Sequence, residues 1–128
     1  MNILIVDDNK VIRTIIIKYI KQYFTDSKYK DFKLYEADDG DIALELIKEN
    51  TLDIIFLDMS MPKMSGEEVL DFIRENKKYK DIYIIMVTAE DLKRNVLRLM
   101  EKGITGYIVK PFQRDSVFKA LNKTSFKI

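Results

Sequence analysis

The stretch that decides the fold is Leu52-Asp53-Ile54-Ile55-Phe56-Leu57-Asp58-Met59-Ser60-Met61-Pro62. Its apolar run at residues 54–57 has no polar alternation, which is typical of a strand buried on both faces of a parallel sheet. Asp58 ends the run, and a proline and a glycine follow shortly, so the strand stops there. Asp58 is therefore expected at the carboxyl end of a core strand, the edge at which open α/β sheets bind ligands. Simple capping of the turn would explain this acid equally well.

The composition is that of one globular domain, which we expect to cover residues 1–128. The 128 residues are 47% hydrophobic and 34% charged, enough for one core and too few for two. With 22 basic and 21 acidic residues, the net charge of +1 gives no bulk attraction to nucleic acid or to a membrane surface. No apolar run approaches the roughly 18 residues of a membrane span, and no signal pattern opens the chain. We therefore expect a cytoplasmic protein.

The absence of cysteine and histidine restricts the possible chemistry. The sequence contains neither residue. Disulfides, thiol nucleophiles and iron–sulfur clusters are excluded, as are the commonest general base and the commonest transition-metal ligand. Carboxylate, hydroxyl and lysine groups remain, and these favour a hard cation such as Mg²⁺ over zinc or copper.

Apolar runs and helical patterns alternate along the chain. The predicted strands are residues 3–6, 32–37, 54–57, 82–87 and 106–109. Apolar residues spaced by three and four predict five helices, the first capped by Asn9 and the fourth ending near Lys102-Gly103. This alternation predicts an α/β fold, a doubly wound five-stranded parallel sheet with helices on both faces. A polar connection at residues 25–31 is longer than the fold requires.

Polar side chains follow four of the predicted strands. Asp7 and Asp8 follow the first strand and Asp58 the third, whereas Thr88 and Lys110 end the fourth and fifth. Each has an ordinary explanation on its own, as a helix cap or a solvated surface charge. Together they indicate a site, because the carboxyl ends of central parallel strands meet within a few residues' width.

Three neighbouring carboxylates need positive charge if they are to stay ionised. Lys110 supplies one charge, and a Mg²⁺ ion bound by oxygen ligands would supply the rest. Without cysteine or histidine, the expected nucleophile is a carboxylate that forms an acyl phosphate. Lys110 and the Thr88 hydroxyl would then bind the phosphoryl oxygens.

These residues resemble the receiver domain of two-component response regulators, and among them the single-domain chemotaxis-type regulators. The motifs are Asp7-Asp8, Asp58 with Met61-Pro62 and Gly66, Thr88-Ala89, and Tyr107 before Lys110-Pro111-Phe112. Their order and spacing match over almost the whole chain. The resemblance implies a flavodoxin-like fold with strand order 2-1-3-4-5 and five helices.

The resemblance also implies a role for each site residue. Asp58 would accept a phosphoryl group from a phosphohistidine on a separate histidine kinase. Asp8 would bind Mg²⁺ directly and Asp7 directly or through water, with Asp58 and the Ser60 backbone carbonyl as further ligands. Lys110 would bridge to the phosphoryl group. The chain would catalyse only its own phosphorylation and dephosphorylation, and would not otherwise be an enzyme.

A conformational switch is implied in the same way. Thr88 would move toward the phosphoryl group and Tyr107 would swing inward, which remodels the face made by helix four, strand five and helix five. A partly buried Tyr107 that does not switch is the alternative. Ser60 and Glu90 occupy positions that adjust the phosphate lifetime. The residues expected on or near this output face are Tyr83, Lys93, Arg94, Arg98, Lys102 and Tyr107.

The expected partners are the kinase and a downstream protein on that face, in chemotaxis or another pathway, with the chain itself a monomer. The last helix is predicted to end near Lys123, which leaves no room for an output domain. One alternative is a Mg²⁺-dependent phosphatase or phosphotransferase with an Asp nucleophile. Enzymes of that kind that resemble haloacid dehalogenases carry a second Asp where Ser60 stands. A receiver excised from a larger regulator is the other alternative.

Overall fold

A computed structural model of the chain describes residues 1–89 and 93–128, without the side chains of Lys93 and Arg94. The strands are β1 Asn2–Val6, β2 Lys33–Ala37, β3 Ile54–Asp58, β4 Tyr83–Thr88 and β5 Gly106–Val109. The helices are α1 Lys10–Phe24, α2 Gly40–Glu49, α3 Gly66–Glu75, α4 Lys93–Glu101 and α5 Arg114–Leu121. A short 3₁₀ helix at Lys77–Tyr79, which the apolar pattern did not predict, precedes β4. The described helices include none that is long and apolar enough to cross a membrane.

The sheet confirms the predicted architecture. All neighbouring strands are parallel, and their order is β2-β1-β3-β4-β5. In the register, Val6 lies beside Leu57, Asp58 beside Val87, and Thr88 beside Val109. The polar residues at the strand ends therefore meet at one edge of the sheet.

Two apolar layers cover the sheet, one on each face. Alternate residues of β3 point to opposite sides, with Ile55 and Leu57 in one layer and Ile54 and Phe56 in the other. Helices α2, α3 and α4 contribute to the first layer, and α1 and α5 to the second. Every residue of β3 is buried, which explains the unbroken apolar run in the sequence.

Side-chain caps start the helices next to the site. The Asn9 carboxamide accepts from the backbone N–H groups of Val11 and Ile12, which confirms it as the cap of α1. Asp39 caps α2, and Ser65 caps α3 by accepting from Glu68 N. These caps fix where each helix leaves the carboxyl edge of the sheet.

The long connection after α1 packs in an aromatic cluster at the opposite end of the sheet. The ring centroids of Tyr29 and Phe126 are 5.1 Å apart, and those of Tyr83 and Phe126 are 6.2 Å apart. The Tyr23 hydroxyl donates to Asn122 and accepts from Ile128 N. The prediction that Tyr83 belongs to the output face is wrong, because this side chain begins β4 and is partly buried against Phe126.

Helix α4 is anchored shallowly. Among its described side chains Leu99 alone is buried, whereas Leu97 is 69% and Met100 57% exposed. The helix ends at Glu101, and Gly103 follows with a φ of 95°, a conformation that glycine adopts without strain. Of the apolar residues of α4, Leu99 therefore contacts the core, whereas Leu97 and Met100 lie on the surface.

Candidate functional site

Three carboxylates converge at the carboxyl edge of the sheet. Carboxylate oxygens of Asp7, Asp8 and Asp58 all lie within 4.8 Å of one another. Asp7 and Asp58 are buried, with 1% and 3% of their surface exposed, whereas Asp8 is exposed. The pairing of β1 with β3 brings these acids together from distant positions in the chain. The predicted convergence is confirmed.

The backbone around Asp58 fixes the orientation of its carboxylate. Its Oδ1 accepts a hydrogen bond from Ser60 N at 3.3 Å, and Gly66 N donates to Met59 O at 3.0 Å. A Cβ atom at Gly66 would lie 2.0 Å from the Asp58 carbonyl oxygen, so the first residue of α3 has to be glycine. The turn after β3 therefore closes tightly behind the acid.

Asp7 is held by hydrogen bonds from the start of α1. Its Oδ1 accepts from Asn9 N at 2.8 Å, and its backbone carbonyl accepts from Arg13 Nη1 at 2.7 Å. Its Oδ2 is buried and lies 2.9 Å from Lys110 Nζ, yet it accepts no well-directed hydrogen bond from the residues described. The contact with Lys110 is therefore an ion pair that leaves a lone pair of this oxygen available.

Lys110 connects the two buried acids. Its Nζ lies 3.4 Å from Asp58 Oδ1 as well as 2.9 Å from Asp7 Oδ2. Lys110 N donates to Thr88 O at 2.6 Å, so the residue after β5 continues the pairing with β4, and the Lys110–Pro111 peptide is cis. One ammonium group thus faces two carboxylates, and the positive charge falls short of the negative charge.

The protonation of the site reflects this imbalance. Burial and, next, the charge of Asp7 raise the pKa of Asp58 from 3.8 to about 6, against the opposing effect of Lys110. Burial also works against the charge of Lys110, but the close contact with Asp7 and the charge of Asp58 outweigh burial and raise the pKa of Lys110. The site therefore lacks a further positive charge at neutral pH.

The donor set fits a hard divalent cation. All its groups are carboxylate oxygens, two acids are buried and held in place, and Asp8 opens the site to solvent. The buried Asp7 Oδ2 has capacity for another partner. An acidic cluster alone is common without an ion, but a buried and incompletely satisfied carboxylate is rare without a compensating group.

The remaining predicted site residues lie at the edges of this cluster. Thr88 is buried at the last position of β4, whereas Ser60 is exposed in the loop after β3. Tyr107 is 44% exposed, so it is outward, and its ring is available to a partner. Glu90 lies outside the described residues, so the expectation for it remains a prediction.

Two basic residues that were predicted on or near the output face also contact α3. Arg98, on α4, pairs with Glu67, and Lys102, directly after α4, pairs with Glu67 and Asp71. The side chains of Lys93 and Arg94 are not described. Sequence reasoning missed the two acids, Glu67 and Asp71. Their spacing of four residues places both charges on one side of α3, and the two bases have the same spacing. Nothing in the spacing shows that the two helices face each other.

Fold and site define a class of protein, a doubly wound α/β domain with a cluster of acids beside a lysine at the carboxyl edge of its sheet. The chain belongs to the response regulator receiver domain family, whose sequence pattern matches residues 3–122. This membership is consistent with a signalling switch activated by phosphorylation, and the alternative of a Mg²⁺-dependent phosphatase is not favoured.

Individual relatives are chemotaxis proteins. The chain is 35% identical over 123 residues to chemotaxis protein CheY-3 of Vibrio cholerae. The aligned residues cover 96% of this chain and 90% of that protein. It is 33% identical to chemotaxis protein CheY of Pseudomonas aeruginosa over 96% of this chain and 94% of that one. The solved structure of the chemotaxis response regulator CheY4 of Vibrio cholerae matches with a TM-score of 0.81 at 29% identity, covering 95% and 96% of the two chains.

Proposed function

We propose that this chain is a switch that is turned on by transfer of a phosphoryl group to Asp58. The observation that carries the proposal is the buried Asp58 carboxylate, 3.4 Å from Lys110 Nζ and grouped with two further acids. A solvated surface acid would have no such surroundings. Family membership supports the same role, since the region that matches the receiver domain, residues 3–122, contains these residues.

The transfer step uses Asp58 as nucleophile. A carboxylate oxygen of Asp58 attacks the phosphorus of a phosphohistidine on a histidine kinase. The O–P bond forms as the P–N bond breaks, and the imidazole leaves with the bonding electrons and takes up a proton. Lys110 balances the added negative charge on the phosphoryl oxygens, and the Thr88 hydroxyl donates to one of them.

The cofactor that we propose is Mg²⁺, held by Asp7, Asp8, Asp58 and the Ser60 backbone carbonyl. Bound there, it would neutralise and orient the phosphoryl oxygens. The support is the all-oxygen donor set and the incompletely satisfied Oδ2 of Asp7. The exposed carboxylate of Asp8 gives the ion a route from solvent.

We further propose that Tyr107 and α4 form the face that reports phosphorylation to a downstream protein. Leu97, Met100 and Tyr107 are large apolar side chains that stand exposed on α4 and β5. Such side chains are typical of a protein contact. Thr88 would move toward the phosphoryl group and Tyr107 would then swing inward, and these movements would change the shape of this face. A chemotaxis partner is one candidate, by analogy with the named relatives.

Other expectations remain predictions. They include a domain covering residues 1–128, a monomer, a cytoplasmic location, no nucleic-acid partner, and control of the phosphate lifetime by Ser60 and Glu90. The protein would catalyse its own phosphorylation and dephosphorylation. It would not turn over an added phosphomonoester.

Mass spectrometry of the intact protein tests the proposal. Incubation with acetyl phosphate and Mg²⁺ should add the mass of one phosphoryl group to the parent. Asp58→Asn should gain none, and a chelator should abolish the gain in the parent. Asp115→Asn, which removes an exposed carboxylate, is the matched control and should behave as the parent. Equal labelling of Asp58→Asn and the parent would contradict the proposal.

A further inference from the structure

Four charged side chains join α3 to the end of α4, and we call them the ionic clasp. Lys102 Nζ lies 2.7 Å from Glu67 Oε2 and 2.8 Å from Asp71 Oδ1. Arg98 Nη1 contacts the same oxygen of Glu67, and Arg98 Nη2 lies 3.1 Å from Asn95 Oδ1. The clasp therefore consists of two acids one turn apart on α3 and two bases, Arg98 in the last turn of α4 and Lys102 directly after that helix.

The clasp matters for α4 because this helix has little else to hold it. Leu99 is the one described side chain of the helix that is buried. Just beyond the helix, Arg74 Nε donates to Gly103 O at 3.0 Å. With so small an apolar contact, exposed ion pairs that would contribute little elsewhere become a sizeable part of what positions the helix.

The α3 side of the clasp is fixed to the phosphoacceptor. Glu67 follows Gly66, whose Cα leaves no room for a Cβ against the Asp58 carbonyl. The hydrogen bond from Lys102 is the main cause that lowers the pKa of Glu67, and hydrogen bonds to Asp71 and Glu67 raise the pKa of Lys102. A rigid support beside Asp58 thus carries the acids that bind a loosely held helix.

We propose that the ionic clasp restrains α4 in the arrangement described and so opposes the phosphorylated state of the switch. This inference rests on the proposed function and concerns its regulation. If phosphorylation weakens the clasp by a given factor, linkage requires that breaking the clasp strengthens the binding of a phosphoryl group or its mimic at Asp58 by the same factor. The strength of exposed ion pairs sets that factor at about 2- to 5-fold.

The experiment uses the full chain and beryllofluoride, a phosphoryl mimic, titrated in excess Mg²⁺ and followed by amide NMR signals. Glu67→Gln removes the acid that both bases share. Glu68→Gln is the matched control, since it removes the neighbouring charge from the same first turn of α3 and forms no ion pair among the described residues. We expect Glu67→Gln to bind beryllofluoride about 2- to 5-fold more tightly than the control does. Without beryllofluoride, its Leu97 and Met100 signals should already be displaced toward their bound positions.

A double-mutant cycle and salt provide independent readouts. Lys102→Gln should also tighten binding, and combining it with Glu67→Gln should give less than the product of the two single effects. High salt should narrow the difference in beryllofluoride affinity between the parent and the double variant, because it screens the ion pairs that the double variant lacks. If the parent binds and Glu67→Gln matches Glu68→Gln or binds more weakly, the inference is overturned while the proposed function stands. If the parent binds no better than Asp58→Asn, the proposed function fails and the inference with it.

Discussion

Gly66 lies so close to Asp58 that a Cβ atom added to the glycine would be 2.0 Å from the Asp58 carbonyl oxygen. This contact places the first turn of α3 directly behind the end of β3. Ser65 caps the same turn by accepting from Glu68 N at 3.2 Å. The positions of Asp58 and of α3 are consequently coupled through backbone atoms, which cannot move aside as side chains can.

Gly66→Ala tests this contact. Because the obstructing atoms belong to the backbone of a buried strand, we expect the free energy of unfolding to fall by about 3 kcal/mol or more. Chemical denaturation measures it. Gly106→Ala is the control, since its Cβ would lie 3.4 Å from the flexible end of Lys123 and should be tolerated. Equal losses for the two variants would contradict the argument.

Asp58→Asn should stabilise the metal-free protein at neutral pH. Folding raises the pKa of Asp58 to about 6, so the folded state holds its proton more tightly than the unfolded chain, whose value is near 3.8. Stability of the parent therefore declines as pH rises from about 4 to about 6, and stays reduced above that window. A pKa shift of this size corresponds to a change in the free energy of unfolding on the order of 1–3 kcal/mol.

Denaturation of both proteins in the presence of a chelator measures this difference at several pH values. The advantage of Asp58→Asn should be present at pH 7 and vanish near pH 4. The exposed Asp115→Asn should show no such trend. An advantage that persists unchanged at pH 4 would show that the ionised carboxylate is not the cause.

Lys110→Met should destabilise the metal-free protein, because Asp7 and Asp58 lose the cation that they share. We expect a loss of about 1–3 kcal/mol at pH 7. The loss should be smaller at pH 4, where Asp58 is protonated and its attraction to the lysine has gone. Phosphorylation by acetyl phosphate should slow in the same variant. Lys119→Met, an exposed lysine of α5, should leave both measurements unchanged.

Arg74 binds four backbone carbonyls at the opposite end of the sheet. Its Nε donates to Gly103 O and its Nη2 to Ile82 O, and its Nη1 donates to Tyr79 O and Lys80 O. Arg74→Met should cost about 2–4 kcal/mol in unfolding free energy, because carbonyls lose their donors. Arg74→Lys should recover part of that loss, since one ammonium group cannot reproduce the planar fork. A thermal scan in which Arg74→Met melts with the parent would refute this role.

The strands and the acidic edge followed from the sequence because both depend on local pattern. A short unbroken apolar run followed closely by a proline and a glycine, such as residues 54–57, is typical of a strand covered on both faces, and the acids directly follow such runs. Parallel pairing of β1 with β3 then places Asp7 and Asp58 side by side and leaves few other relative positions for them. The 3₁₀ helix before β4 gave no such signal, because one short turn has no periodicity to detect.

The sequence by itself determined the doubly wound sheet, the cap of α1 at Asn9, and the set of groups gathered at the carboxyl edge of the sheet. Tertiary structure alone decided that Arg98 and Lys102 face α3, that Tyr83 lies under Phe126, and that Gly66 meets the Asp58 carbonyl. The reason is physical: periodicity specifies which side of a helix is apolar, whereas the neighbour of a charged side chain depends on how two helices are rotated and spaced on the sheet.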